Sequence, residues 1–404
     1  AHGRNVAIGY LALNAQDAGV DAYNVAVGYE TGMTISTGTN NTFLGARAGL
    51  NTTTGVSNIA IGYASLYANN VGTQNVAIGQ QAMDQNQGGD RSVAIGHHAL
   101  MTQNPAVAGT DMYNVAVGFE AGNDITTGTL NTLIGGLAGD ALTTGSYNVA
   151  VGARALGAED GHGGNVAVGV DALMLLNAGV DGFNTAVGHE AGKVMSTGVG
   201  STLIGSFAGD ALTTGNYNVA VGSYALSTED GHGFNVAIGR SALQTLNAGI
   251  NAYNVAVGYY TGQAITTGPY NTIVGALAGD ALTTGDRNVA IGTSALGTET
   301  AYGKNVAIGT NTLTIQNAGA DTYNVAVGYN AGLAVTTGVS NTLIGGQAGD
   351  SLTTGGYNVA IGRAALATEN AHGRNVAIGY EALYTLDAGA DAYNIAIGYK
   401  TGTA

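Results

Sequence analysis

Asn5-Val6-Ala7-Ile8-Gly9 is the first appearance of a five-residue stretch that returns, with small changes, at residues 24, 41, 58, 75, 92, 114, 131, 148, 165, 184, 201, 218, 235, 254, 271, 288, 305, 324, 341, 358, 375 and 394. The step between the twenty-three copies is usually seventeen residues. A period this short predicts that each copy is one coil of a solenoid, because a lone strand of five residues cannot bury its own apolar face. Within the stretch Val and Ile alternate with Ala, the period of two expected of a strand. Val6 and Ile8 therefore share one face and Ala7 takes the other.

The fourth position is Val or Ile in every copy except Leu44, which predicts a continuous β-branched ladder inside the solenoid. The fifth is always Gly, as a turn with positive φ or a tight backbone approach requires. Asn opens every copy except Ser92 and Ser201. Stacked coils would bring these amides about 4.8 Å apart, within reach of a side-chain hydrogen-bond ladder. Seventeen residues accommodate two strands of roughly five plus two turns, a flattened two-sided roll, with a small three-sided coil as the alternative.

The coils group in fours, with steps of seventeen, seventeen, seventeen and nineteen, so similar segments recur every seventy residues at Asn114, Asn184, Asn254, Asn324 and Asn394. One coil departs from the rule. Ser92 to Tyr113 carries three residues more than even the long coils, around Pro105, and is expected to bulge. Pro269, the second proline, sits in a Thr-Thr-Gly-Pro-Tyr turn where its fixed φ does no harm.

A repeat running from end to end leaves no reason to divide the 404 residues, so 1–404 is read as one continuous domain. The 68 glycines lack collagen's every-third spacing and belong to turns. A net charge of -15 repels a nucleic-acid backbone. No run of eighteen apolar residues or signal-peptide pattern occurs, so no membrane insertion is expected. The absence of cysteine excludes disulfides and thiolate metal sites. Ala1 to Gly9 recurs as Ala371 to Gly379, as in a segment taken from a longer array.

In the second coil of each four, the central Ala is replaced by Phe43, Leu133, Leu203, Ile273 and Leu343. A solvent-facing strand would not select these residues, so both strand faces are expected to be buried, one in the roll and one against copies of the chain. The expected assembly is a parallel homotrimer.

Asn-Val-Ala-Ile-Gly followed by Ala-Leu or Ala-Gly resembles the head repeats of trimeric autotransporter adhesins, the YadA-like heads. It is similar, more closely still, to the repeats of phage tail-fibre shafts, of which Asn58 to Gly62 and Asn51 to Gly55 show both halves. The resemblance covers essentially the whole chain. It implies a left-handed parallel β-roll wound into a homotrimer.

Candidate sites fall in the turns. His162, His232 and His372, like His2, lie three residues before a repeat Asn, and around a threefold axis three imidazoles could hold a metal or an anion. Tyr302 at the equivalent place, and the neighbouring Glu159-Asp160 and Glu229-Asp230, argue instead for a solvated polar turn. The long coils offer candidate binding loops at Asp17, Asp21, Asp181, Asn251, Asp321, Asp387 and Asp391. Such a spaced row could bind a partner through avidity, or calcium, although carboxylates are too few for a full oxygen shell.

Thr-Thr-Gly at Thr143, Thr213, Thr283 and Thr353 raises an ice-binding reading, and the 21 tyrosines a sugar-stacking one. No nucleophile elbow, zinc-protease motif or phosphate loop is present, so neither enzyme activity nor a cofactor is expected. Together these readings point to an extracellular structural fibre at a cell surface or virion, the trimeric shaft or head of a phage tail fibre or bacterial adhesin. Its partners would be itself and a cell-surface glycan or protein receptor. The alternatives are a monomeric solenoid binding ice or glycan along one face, and a subunit of an end-to-end extracellular filament.

Overall fold

A computed structural model describes residues 3–403; His2 therefore lies outside the described residues. Two compact units are present, Ala1–Ser201 and Thr202–Ala404. Each is a parallel β-solenoid. The first has eleven three-residue strands from the repeat, Val6–Ile8 through Thr185–Val187, and the second has twelve, Thr202–Ile204 through Ile395–Ile397. Consecutive strands pair in strict register, as Val6↔Val25, Ala7↔Ala26 and Ile8↔Val27 do. No helix occurs among the described residues, and so none is long and apolar enough to cross a membrane.

The second wall of each coil is not the second strand expected. Its residues alternate into the left-handed region, as with Leu11 (φ 53) and Leu13 (φ 52), or Tyr224 (φ 60) and Leu226 (φ 53). The inter-coil ladder nonetheless continues there, with the Leu243 N–H donating to Thr261 O at 3.1 Å and the Thr245 N–H to Gln263 O at 3.2 Å. A left-handed leucine costs about 1–2 kcal/mol. It is held because it turns the side chain inward: Leu66, Leu100, Leu156, Leu226 and Leu296 are fully buried.

Which strand face is interior is the main correction to the sequence reading. The central Ala of each strand points into the roll, with Ala26, Ala60, Ala150 and Ala290 fully buried, whereas the flanking Val and Ile face outward. The roll is narrow, and its opposite wall already supplies the bulk, through the leucines named above and through Ile35, Leu142, Leu176 and Leu246. A small residue on the strand is what lets the two walls close. The β-branched ladder exists, but on the outside.

The same geometry explains Phe43, Leu133, Leu203, Ile273 and Leu343, which are interior and fully buried rather than packed on another chain. Each fills a notch left by glycine on the facing wall. A Cβ on Gly122 or Gly139 would lie 2.7 Å and 2.8 Å from the two Leu133 methyls, and one on Gly332 or Gly349 would lie 2.7 Å and 2.9 Å from those of Leu343. One large side chain thus replaces the leucines missing from two successive coils.

Between the terminal coils the Asn column is buried, and it joins backbone as well as side chains. Asn131 Nδ2 donates to the carbonyl of Gly145 in its own coil at 2.9 Å, and its Oδ1 accepts the N–H of Asn148 in the next at 2.9 Å. The pattern recurs at Asn41, Asn58, Asn271 and Asn341. Beside it, the fifth-position glycine meets both expectations. Gly135 has φ +139, and a Cβ there would lie 2.4 Å from the carbonyl oxygen of Gly152.

The long coil behaves as expected. Residues 106–109 project into solvent, and Gly89–Asp90 pairs with Thr110–Asp111 as a short extra parallel ladder at its base.

Two outcomes follow for stability. Leu133→Ala should lower the unfolding free energy of its region by about 2–5 kcal/mol, as a core cavity does, read from urea denaturation. Asn131→Ala strands a buried N–H and a buried carbonyl at about 1–3 kcal/mol each, so hydrogen exchange at Asn148 should accelerate sharply while distant coils keep their protection.

Candidate functional site

The candidate binding loops are placed as braces between coils. Asp181 Oδ1 accepts the Gly163 N–H at 2.9 Å, Asn251 Oδ1 that of Gly233 at 2.9 Å, Asp321 Oδ1 that of Gly303 at 3.1 Å and Asp391 Oδ1 that of Gly373 at 2.9 Å. Asp321 and Asp391 also pair with Lys304 and Arg374, and Asp21 with Arg4 at 3.1 Å. Asp17 and Asp387 are exposed, and the Asp17 N–H donates to Ser36 O. An oxygen that accepts a backbone N–H or faces a cation is poorly placed to hold calcium, so Asp21, Asp181, Asn251, Asp321 and Asp391 read as fasteners.

His162, His232 and His372 share one local design. Each ring Nδ1 lies 3.3–3.5 Å from a buried glutamate three residues earlier, Glu159, Glu229 or Glu369. That glutamate also accepts a backbone N–H from the next coil, as Glu159 does from Ala178 at 3.4 Å and Glu369 from Ala388 at 3.2 Å. Glu159, Asp160 and His162 do approach one another within 4.8 Å, and so do Glu229, Asp230 and His232. The structural part of the histidine is its carbonyl, which accepts from the column amide of Asn148, Asn218 or Asn358. Tyr302 O serves Asn288 in the same way, which explains why tyrosine can occupy the position.

The threonines of Thr-Thr-Gly are engaged. Thr143, Thr213, Thr283 and Thr353 each donate Oγ1–H to a main-chain carbonyl of the next coil at 2.6–2.9 Å. The aromatic residues before the repeat Asn form columns. Tyr217, Phe234, Tyr253 and Tyr270 succeed one another at centroid separations of 5.4, 5.1 and 5.8 Å, and the Arg287 guanidinium covers the Tyr270 ring at 5.4 Å. Their faces are spent on one another.

Two features lie outside the candidates read from the sequence. The first is the outward apolar column: in the first unit Ile8, Leu44, Ile95 and Ile134, and in the second Ile204, Ile238, Ile344 and Ile397, all exposed. Its periodicity was visible, but its direction depends on the size of the opposite wall. The second is a meeting of His97, His98 and Glu120. Its only sequence signal is a His-His pair that breaks the repeat.

No family model and no curated protein matches this chain. The class it defines is that of a parallel β-solenoid repeat protein.

Burial pushes the carboxyls of Glu159, Glu229 and Glu299 above the ordinary glutamate range. The folded state then binds those protons more tightly than the unfolded chain. The cost of burying the ionised form is fully present at neutral pH and is relieved as pH falls through the raised values toward the normal range near about 4.3. Asp171 runs the other way. Two hydrogen bonds from Arg154, both 2.7 Å, hold its carboxyl below the usual range, so its contribution is lost only in stronger acid. Thermal melts should therefore show a higher midpoint at pH 5 than at pH 7.5. The triple variant Glu159→Gln, Glu229→Gln, Glu299→Gln should flatten that slope; an unchanged slope would refute the assignment.

Proposed function

We propose that the chain is a structural fibre element, an extracellular shaft or head in which copies associate in parallel, as a homotrimer, through the outward Val/Ile face. The observation that carries this reading is that column itself. Every coil presents an aliphatic side chain at the fourth position outside the roll, and most add a Val or Ile two residues earlier, with Ile134 40% and Ile204 39% exposed. Isolated exposed apolar residues are ordinary, but a contiguous apolar stripe is the mark of an interaction surface. Covering a half-exposed Val or Ile contributes roughly 1 kcal/mol, taking half the value for full burial. With one or two such residues in every coil, the gain grows with the number of coils.

A second copy is the occupant that fits, since its rungs repeat at the same spacing and meet the column in register along its length. The surface of such an assembly presents the same groups many times over, which suits shallow multivalent attachment to a glycan or protein receptor at a cell surface or virion. The ice and glycan readings are less well supported, because the first hydroxyl of each Thr-Thr-Gly and the ring faces of Phe234, Tyr253 and Tyr270 are already committed to neighbouring coils.

Light scattering on the native chain should give about three times the 40.0 kDa chain mass. The outward variants Ile204→Lys and Ile238→Lys together should shift it toward one chain mass with circular dichroism unchanged. A native chain that is monomeric at micromolar concentration would overturn the proposal, and a mass that the two lysines do not alter would move the interface elsewhere.

A further inference from the structure

Two of the seven histidines stand together at His97 and His98, in the long coil that carries the Pro105 bulge. Glu120 holds the place on the following coil that His98 holds on its own. Adjacent residues of an extended strand point to opposite faces. Here a φ of 56° at His98 breaks that alternation, and the two imidazole centroids are 3.7 Å apart. One potential ligand atom from each of His97, His98 and Glu120 lies within 4.8 Å of the other two.

The hydrogen bonding around them calls for a cation. His98 Nε2 lies 3.1 Å from Gln81 Oε1. An amide oxygen only accepts, so Nε2 is the donor in that contact and Nδ1 is the ring nitrogen left to face Glu120. That Nδ1 lies 3.6 Å from Glu120 Oε1, an opposition of ring nitrogen and carboxylate oxygen that one shared cation satisfies. His97 Nδ1 is buried and has no hydrogen-bond partner, while its ring is stacked on Phe119, nearly parallel at 5.4 Å. An unsatisfied buried ring nitrogen is costly unless something electrophilic meets it.

We propose that His97, His98 and Glu120 bind one divalent transition-metal ion of the zinc class, as a clip between two successive coils. Imidazole with a single carboxylate suits zinc, nickel or copper rather than calcium, which prefers six to eight oxygens. Gln81 supplies the second-shell acceptor that fixes the tautomer of a ligating histidine. Three protein ligands leave the fourth tetrahedral position to water. The clip would join the longest coil of the chain to the coil that follows it.

Zinc chloride titrated into the full chain at pH 7.5, followed by calorimetry, should give one saturable site per chain. His97→Ala, His98→Ala and Glu120→Gln should each weaken it by at least about tenfold. Gln81→Leu, which removes no ligand, should weaken it to a lesser degree. Zinc should also slow amide hydrogen exchange across residues 97–120 in the wild type and not in His98→Ala. The proposal is overturned if zinc shows no saturable binding, or if binding survives the three ligand variants and is lost instead on replacing His162 and His232. In either case the approach of His98 to Glu120 is a contact between side chains and no metal site.

Discussion

The constraint on which the structure depends is that every coil must satisfy its backbone polar groups against its neighbours, since a thin roll has no other partners to offer. The Asn column meets this at the most demanding point, where the chain leaves one coil and enters the next. Its amide nitrogen closes its own coil onto a turn carbonyl, and its oxygen takes the first N–H of the following coil, as with Asn341, Gly355 and Asn358. A side chain that both donates and accepts can repeat indefinitely in register. Serine cannot span both contacts, and at Ser92 the hydroxyl meets Gln103 Oε1 instead, at 3.2 Å.

That constraint fixes the thickness of the roll, and thickness decides what is inside. Two walls close enough to share a turn leave room for one layer of large side chains. These come from the left-handed wall, so the strand must contribute alanine. Where the wall carries glycine in two successive coils, the strand contributes Leu133 or Phe43 instead. Apolar residues that do not fit the interior, the Val and Ile pairs, are left outside. The exposed stripe is thus a consequence of the packing of the roll.

Much of this was legible in the sequence, and the part that was not has a definite cause. Coil number, strand position, the buried Asn ladder, the obligatory glycine and the bulge near Pro105 all follow from period and backbone chemistry, which are local. The direction of the strand faces is not local. Val6 and Ile8 look more like core than Ala7 until the size of the opposite wall is known, and that wall could not be read as leucine in left-handed conformation from a pattern that suggested a second strand. The turn histidines were visible because they recur. His97 and His98 do not recur, and their relation to Glu120 depends on a coil of irregular length.

In-register stacking also explains the composition. Each residue lies directly above its counterpart one coil away, so the groups that tolerate repetition are those that attract their own kind: aliphatic side chains, amides, hydroxyls and aromatic rings. Like charges do not, and the charged fraction of 9% is correspondingly low. Where charges occur, a cation commonly meets an anion one coil away, as in Arg47 with Glu30, Arg154 with Asp171 and Lys304 with Asp321, or covers a ring, as Arg374 does between Tyr357 and Tyr393. None of the described repeat strands contains a charged residue, so the outward Val/Ile column is itself free of charge, as in-register stacking of like side chains requires.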